Sequence, residues 1–256
     1  MMINGDRVEF HNDAERDEYV RQHEQIRADA CINVNKRLAK IFEQINPKWS
    51  DRAVFVSPIT TSVLYDYKEQ WSVNQDFPLN LDPKNDVHAD SRFNWFQNVR
   101  FSEEVASQFN VAVYSGKNLI ALGMGGHKNW HVEKHGDDIK TNIVGIDAVE
   151  VVCGAGNAEP GLALIAIAET ARSFAHATGR DTLGLVWPSD QVKVLLDRVE
   201  FPKSTRGEYV MKIENLDFIW KNLKDILHGK NRKISGVKSI EVADITSKKG
   251  LTCEVQ

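Results

Sequence analysis

Two carboxylates, Asp147 and Glu150, lie three residues apart in the run TNIVGIDAVEVVC, Thr141 to Cys153. A carboxylate fixed on a strand can act as a general base, taking a proton from an amine directly or through a water. Side chains alternate along a strand, so residues three apart are expected on opposite faces and only one of the pair can face a substrate. The chain then reads VEVVCGAGNAEPGLALI, Val149 to Ile165, passing from a β-rich run through Gly154, Gly156 and Gly161 into an alanine- and leucine-rich helix. Small residues admit a ligand close to the backbone, and free N–H groups at a helix start attract anionic oxygens.

Neither nucleotide fingerprint fits this loop. A dinucleotide loop needs a third glycine where Glu159 stands, and the P-loop spacing from Gly156 to Gly161 is followed by Leu162-Ala163 instead of lysine and a hydroxyl. Glu159 opposes an anion at the helix start, so a tight turn with a helix cap is the competing reading. His127, His131 and His135 in HKNWHVEKH recur every four residues. On a helix they would share a face, a pattern compatible with zinc or copper. Their place between β-rich runs, after Gly125-Gly126, instead suggests a mobile hairpin loop, so no metal site is assigned. There they would form an acceptor-side wall with a histidine base.

The elements that must position these groups follow from periodicity. From Asp13 to about Ile45 apolar residues recur at helical spacing, predicting one or two amphipathic helices stopped by Asn46-Pro47. Ala53 to Ser57 reads as a short strand, and Asn74 to Arg92 as a long loop. Phe109 to Gly126 forms two β-rich runs around Ser115-Gly116-Lys117-Asn118, a hairpin signature, and Thr141 to Cys153 adds a third strand to the meander. Gly161 to Gly179 is helical with a glycine C-cap. A strand at Thr182 to Trp187, a short helix from near Pro188-Ser189-Asp190 to about Val199, and a strand at Glu208 to Ile213 follow. The expected fold class is α/β or α+β, a mixed and mainly antiparallel central sheet flanked by helices, with an N-terminal helical extension.

This order of hairpin, central strand, loop, long helix, strand, short helix and strand resembles the general N-acetyltransferase (GNAT) superfamily over about Phe109 to Ile213. The family loop reads Arg/Gln-x-x-Gly-x-Gly/Ala, and its amides bind the pyrophosphate of acetyl-coenzyme A. Here the matching stretch is Ala158-Glu159-Pro160-Gly161-Leu162-Ala163, which keeps Gly161 and Ala163 and lacks the leading Arg or Gln. Pro160 also removes one backbone donor. The resemblance implies acetyl-coenzyme A as co-substrate, with Ala158, Gly161, Leu162 and Ala163 at the pyrophosphate. It places the end of the central strand, Val151, Val152 and Cys153, beside the thioester. Asp147, ranked first, or Glu150 would be the base, and the alternative for either is an exposed carboxylate or a structural ion pair. The family's proton-donating tyrosine on the short helix is replaced by Leu195-Leu196. Ser189 offers a hydroxyl there, with a plain N-cap as its other reading.

The implied function is acyl transfer to an amine of a small molecule or protein. Two alternatives stand beside it. One is a relative acting on a nucleic-acid base or tRNA-bound amino acid, suggested by the aromatic group from Tyr65 to Phe96 and the lysine-rich tail. The other is a non-catalytic binding protein, suggested by the missing motif residues. The aromatic residues are more simply read as packing an inserted segment onto the domain. A 256-residue chain with 42% hydrophobic and 27% charged residues can bury a full core. Its net charge of −4 supplies no global field toward nucleic acid or an anionic membrane. The polar, acidic start, three separated cysteines and absence of a long apolar run predict a cytoplasmic protein with reduced thiols and no membrane partner. A homodimer is compatible with these features. The expected organisation is an extension over 1–105, an acyltransferase core over 106–213, and a helix with a basic tail over 214–256.

Overall fold

The computed structural model describes residues 2–3, 6–7, 10–71, 94–104, 108–134, 137–151, 160–185, 190–203 and 209–229. The chain begins with a two-stranded pair, β1 (Met2–Ile3) and β2 (Asp6–Arg7). Helix α1 (Asp13–Ile45) follows as one continuous element, where the apolar spacing also allowed two. Asn12 caps it by accepting the Glu15 N–H at 2.9 Å. Its buried stripe, Ala30, Val34, Leu38 and Phe42, keeps a spacing of four residues and so points to one side.

A 3-10 helix (Pro47–Arg52) delivers Trp49 into the core and leads to strand β3 (Val54–Ser57). Helices α2 (Thr61–Trp71) and α3 (Trp95–Glu104) precede strands β4 (Gln108–Ser115), β5 (Asn118–Lys134) and β6 (Asp137–Val151). Then come α4 (Pro160–Ala177), β7 (Thr182–Leu185), α5 (Asp190–Arg198), β8 (Tyr209–Lys212) and α6 (Leu216–Leu227). The stretch from Asn74 to Arg92, read as a loop, lies outside the described residues.

Strands β3 to β8 form one six-stranded sheet in chain order. All neighbours pair antiparallel except β6 and β7, which are parallel because α4 crosses over between them. The expected mixed, mainly antiparallel sheet with flanking helices is therefore present, and β3 makes residues before 106 part of the same sheet. Asn35 of α1 brackets the edge strand: its amide donates to the Val56 carbonyl and accepts the Val56 N–H, both at 2.8 Å. This side chain takes the place of a missing strand neighbour.

The sheet separates two apolar clusters. One face carries Val111, Val113, Val144 and Ile146 against α1, α4, α5 and α6. The other carries Ala112, Leu122 and Met124 against Tyr67 and Trp71 of α2 and Trp95 of α3. In the first cluster Glu169 of α4 is fully buried and draws three elements together. Arg37 of α1 lies 2.9 Å from its Oε2, and the Trp220 indole of α6 donates to Oε1 at 2.7 Å. Among the described residues no helix is long and apolar enough to cross a membrane.

The polar stretch HKNWHVEKHGDD is corrected by the structure. It is not a loop: β5 runs on through Lys134 and β6 begins at Asp137, with Trp130 opposite Thr141 and Val132 opposite Ile139. β-branched and aromatic residues at alternate positions favour an extended ribbon over an irregular loop. His127 and His131 thus sit on a strand, where four residues span about 13 Å; His135 lies outside the described residues. Among the described residues no three His, Cys, Asp or Glu side chains gather as a metal site.

Candidate functional site

Strand β6 is flanked by β5 along its length, and on its other side it pairs with β7 in parallel over Val144 to Ile146. The last described rung pairs Ile146 with Leu185, where the described part of β7 ends, and β6 continues to Val151.

Next to that rung β6 carries a bulge. Met124 pairs with Ala148 and Gly125 with Ile146, which leaves Asp147 as the extra residue. Before it, Val144 and Ile146 face α4; after it, Val149 and Val151 do, while Ala148 faces the α2 and α3 side. Alternation slips by one residue at Asp147. Parity therefore does not assign Asp147 and Glu150 to opposite faces, because the rule does not carry across an inserted residue.

The two carboxylates differ in access. Glu150 is 1% exposed and its Oε2 accepts the Trp95 indole N–H at 2.5 Å. Trp95 is fixed at the first position of α3, where the Asn94 side chain caps the helix by accepting the Gln97 N–H at 3.1 Å. Asp147 is half-buried on the bulge, next to the Ile146–Leu185 rung, with its Oδ1 enclosed.

At the start of α4, Pro160 occupies the first helical position and Gly161 follows. A Cβ on Gly161 would stand 3.0 Å from Trp49, so helix packing against that ring already calls for glycine here. Leu162 and Ala163, expected at the pyrophosphate, are both fully buried, so any contact with a ligand there falls to their main chain. Val151 is buried at the end of β6. Val152, Cys153, Ala158 and Ser189 lie outside the described residues.

Tyr209, cross-strand partner of Leu185, does not stand in for the missing tyrosine. Its hydroxyl donates to Asp197 at 2.8 Å, and burial together with that carboxylate raises its pKa. His127 packs against the end of α4. Its Nε2 lies 3.0 Å from Thr178 Oγ1 and its ring 5.5 Å from that of Phe174. Burial, with Arg180 and His23 nearby, pushes its pKa down to about 4, so the ring is neutral at pH 7 and held in packing.

Sequence reading missed Trp95 as a partner of Glu150. Fifty-five positions separate them, and a pattern based on spacing carries no signal at that range. It also read Gly161 through its loop and not through Trp49, whose only sequence trace is a tryptophan after Asn46-Pro47.

No protein-family model matches the chain, and no curated protein matches it. Solved structures do. RimJ of Mycobacterium smegmatis, in complex with CoA-disulfide, is 12% identical with a TM-score of 0.41, over 69% of this chain and 89% of that one. An AtaT toxin variant bound to the C-terminus of the antitoxin AtaR and acetyl-CoA is 10% identical with a TM-score of 0.38, over 66% and 98%. A GCN5-related N-acetyltransferase from Kribbella flavida is 19% identical with a TM-score of 0.35, over 56% and 32%.

Proposed function

We propose that this chain is an acyl-coenzyme A dependent N-acyltransferase that transfers an acyl group, acetyl in the simplest case, to an amine of a small molecule or protein. The observation that carries this reading is the bulge that sets Asp147 in β6 directly after the parallel Ile146–Leu185 rung, on the strand that α4 joins to β7. In this reading an extended thioester arm lies along β6 as a strand would, its amides paired with main-chain groups of 147–151. The co-substrate supplies the acyl group as an activated thioester. Main-chain N–H groups there donate to its carbonyl oxygen and favour the charge that develops on it.

Asp147 takes the proton from the incoming ammonium group, directly or through one water, so that a neutral amine attacks. Glu150 holds α3 against the sheet through Trp95 and is a positioning residue. Short helix α5 offers leucine where a tyrosine would protonate the thiolate, so that proton comes from solvent. The aromatic residues Tyr67, Trp71 and Trp95 are buried against the sheet. That burial favours packing over a stacking surface for nucleic acid, and so a small-molecule or protein amine as acceptor.

Acetyl-coenzyme A binding by calorimetry and turnover against a panel of amines test the reading. Asp147→Asn is expected to lower kcat/KM by about 10²- to 10⁴-fold at neutral pH while co-substrate affinity holds. Unchanged turnover in that variant overturns the base assignment. Absence of any acyl-coenzyme A binding at millimolar concentration overturns the reading itself.

A further inference from the structure

On the α4 side of the sheet the structure holds a cavity of about 390 Å3. That volume falls within the range of small-molecule sites, in a protein interior that is otherwise close-packed. Its walls come from the first half of α4, the end of α5 and the inner face of α6. The lining side chains are aliphatic or aromatic apart from Arg198. The Trp220 indole N–H is already given to Glu169. Sugars, bases and peptides would strand their polar groups here, whereas hydrocarbon would not.

The position of the cavity is as informative as its lining. Ile146 and Leu185, which form the last described β6–β7 rung, both wall it, and so does Gly161 at the start of α4. The cavity thus adjoins the residue before Asp147 and the start of the helix that follows β6. Leu195 and Leu196, which stand where a family tyrosine was expected, are part of the wall.

We infer that this cavity is an acyl-chain pocket and that the group transferred at Asp147 is an unbranched chain longer than acetyl. The inference rests on the acyl-transfer reading above. The same hydrocarbon could also arrive as a free fatty acid, with its carboxylate at Arg198, which has no ion-pair partner among the described residues.

Calorimetric titration of the full chain with acetyl-, octanoyl- and dodecanoyl-coenzyme A, and with dodecanoate, separates these cases. Affinity for the thioesters is expected to rise about fourfold per buried methylene, the equivalent of ~0.8 kcal/mol each, until the pocket is full. Two filling variants, Ala168→Leu and the milder Leu195→Phe at a half-buried position, are expected to erase that gain and leave acetyl-coenzyme A affinity unchanged. Circular dichroism and a melting curve verify that at least one of them is folded. Equal affinity for acetyl and dodecanoyl thioesters, or a chain-length gain that survives in a folded filling variant, overturns the pocket and leaves acyl transfer standing. Dodecanoate binding that is lost in Arg198→Gln, with no thioester bound, overturns acyl transfer and assigns the cavity to a free fatty acid.

Discussion

At the residue scale, the site depends on how differently two carboxylates on one strand are held. Glu150 is enclosed and takes an indole N–H, while Asp147 is half-buried on a bulge. Trp95→Phe keeps the ring that packs α3 and removes the donor to a buried carboxylate. The expected loss is about 1–3 kcal/mol in denaturant unfolding, the usual cost of a buried acceptor that loses its donor. If Glu150 positions and does not react, the same variant should retain the pH dependence of kcat/KM, with the loss confined to stability. A displaced pKa in the rate profile would move Glu150 into the chemistry. Asp147→Asn should show the opposite pattern, with a nearly unchanged unfolding midpoint and lost turnover.

At the element scale, the bulge depends on β5 and β6 approaching closely beside it. A Cβ on Gly125 would stand 2.0 Å from the Gly145 carbonyl oxygen and 2.9 Å from Phe109. Gly125→Ala must push two backbones apart beside the bulge. Its cost should reach or pass the upper end of the ~0.5–3 kcal/mol range of ordinary substitutions, measured as a shift in the unfolding midpoint. The buried carboxylate of Glu169 is a second element-level link. Glu169→Ala leaves Arg172 its 2.6 Å pair with Asp217, and Arg37 is partly solvated, so a loss of about 3 kcal/mol is expected, at the lower end for a broken buried pair. Strands β4 to β8 and helix α4 were legible in the sequence because period and punctuation agree: Gly116, with φ of 59°, turns the hairpin, and Gly179, with φ of 68°, ends the helix. The ribbon beyond Gly126 was hidden by its polar residues. Helices α2 and α3 were read only as an aromatic group, since rings suit strands and helix faces alike. The bulge could not be read at all, because the register of two paired strands is a property of the packed sheet. Asp147 was picked out from residue type and position, yet the bulge removes the facing rule used to separate it from Glu150.

At the scale of the whole molecule, His127 joins strand β5 to the end of α4 and the side of α1, and this makes stability depend on acid. Thr178 Oγ1 donates to the Phe174 carbonyl at 2.8 Å, so the proton of neutral His127 belongs on Nε2, where it is given to that hydroxyl. Nδ1 is buried with no hydrogen-bond partner among the described residues, and Arg180 and His23 face the ring. His23 itself is lowered by burial, with its ring against Tyr19. Protonation of His127 would place a second cation there with no acceptor. Its folded pKa of about 4 lies below the unfolded value near 6.5, so the unfolded chain binds the proton more readily. The neutral ring's contribution is complete above pH 6.5, falls as the pH drops through the window toward 4, and is fully lost below it. Guanidinium unfolding midpoints at pH 7.0, 5.5 and 4.5 should decline across this window. His127→Phe keeps the contact with Phe174, and Thr178 retains its bond to the Phe174 carbonyl, so the variant should fold. Its midpoint should fall less steeply between pH 6.5 and 4 than that of the parent chain. An identical slope in the two proteins would transfer the acid response to His23 or to the carboxylates.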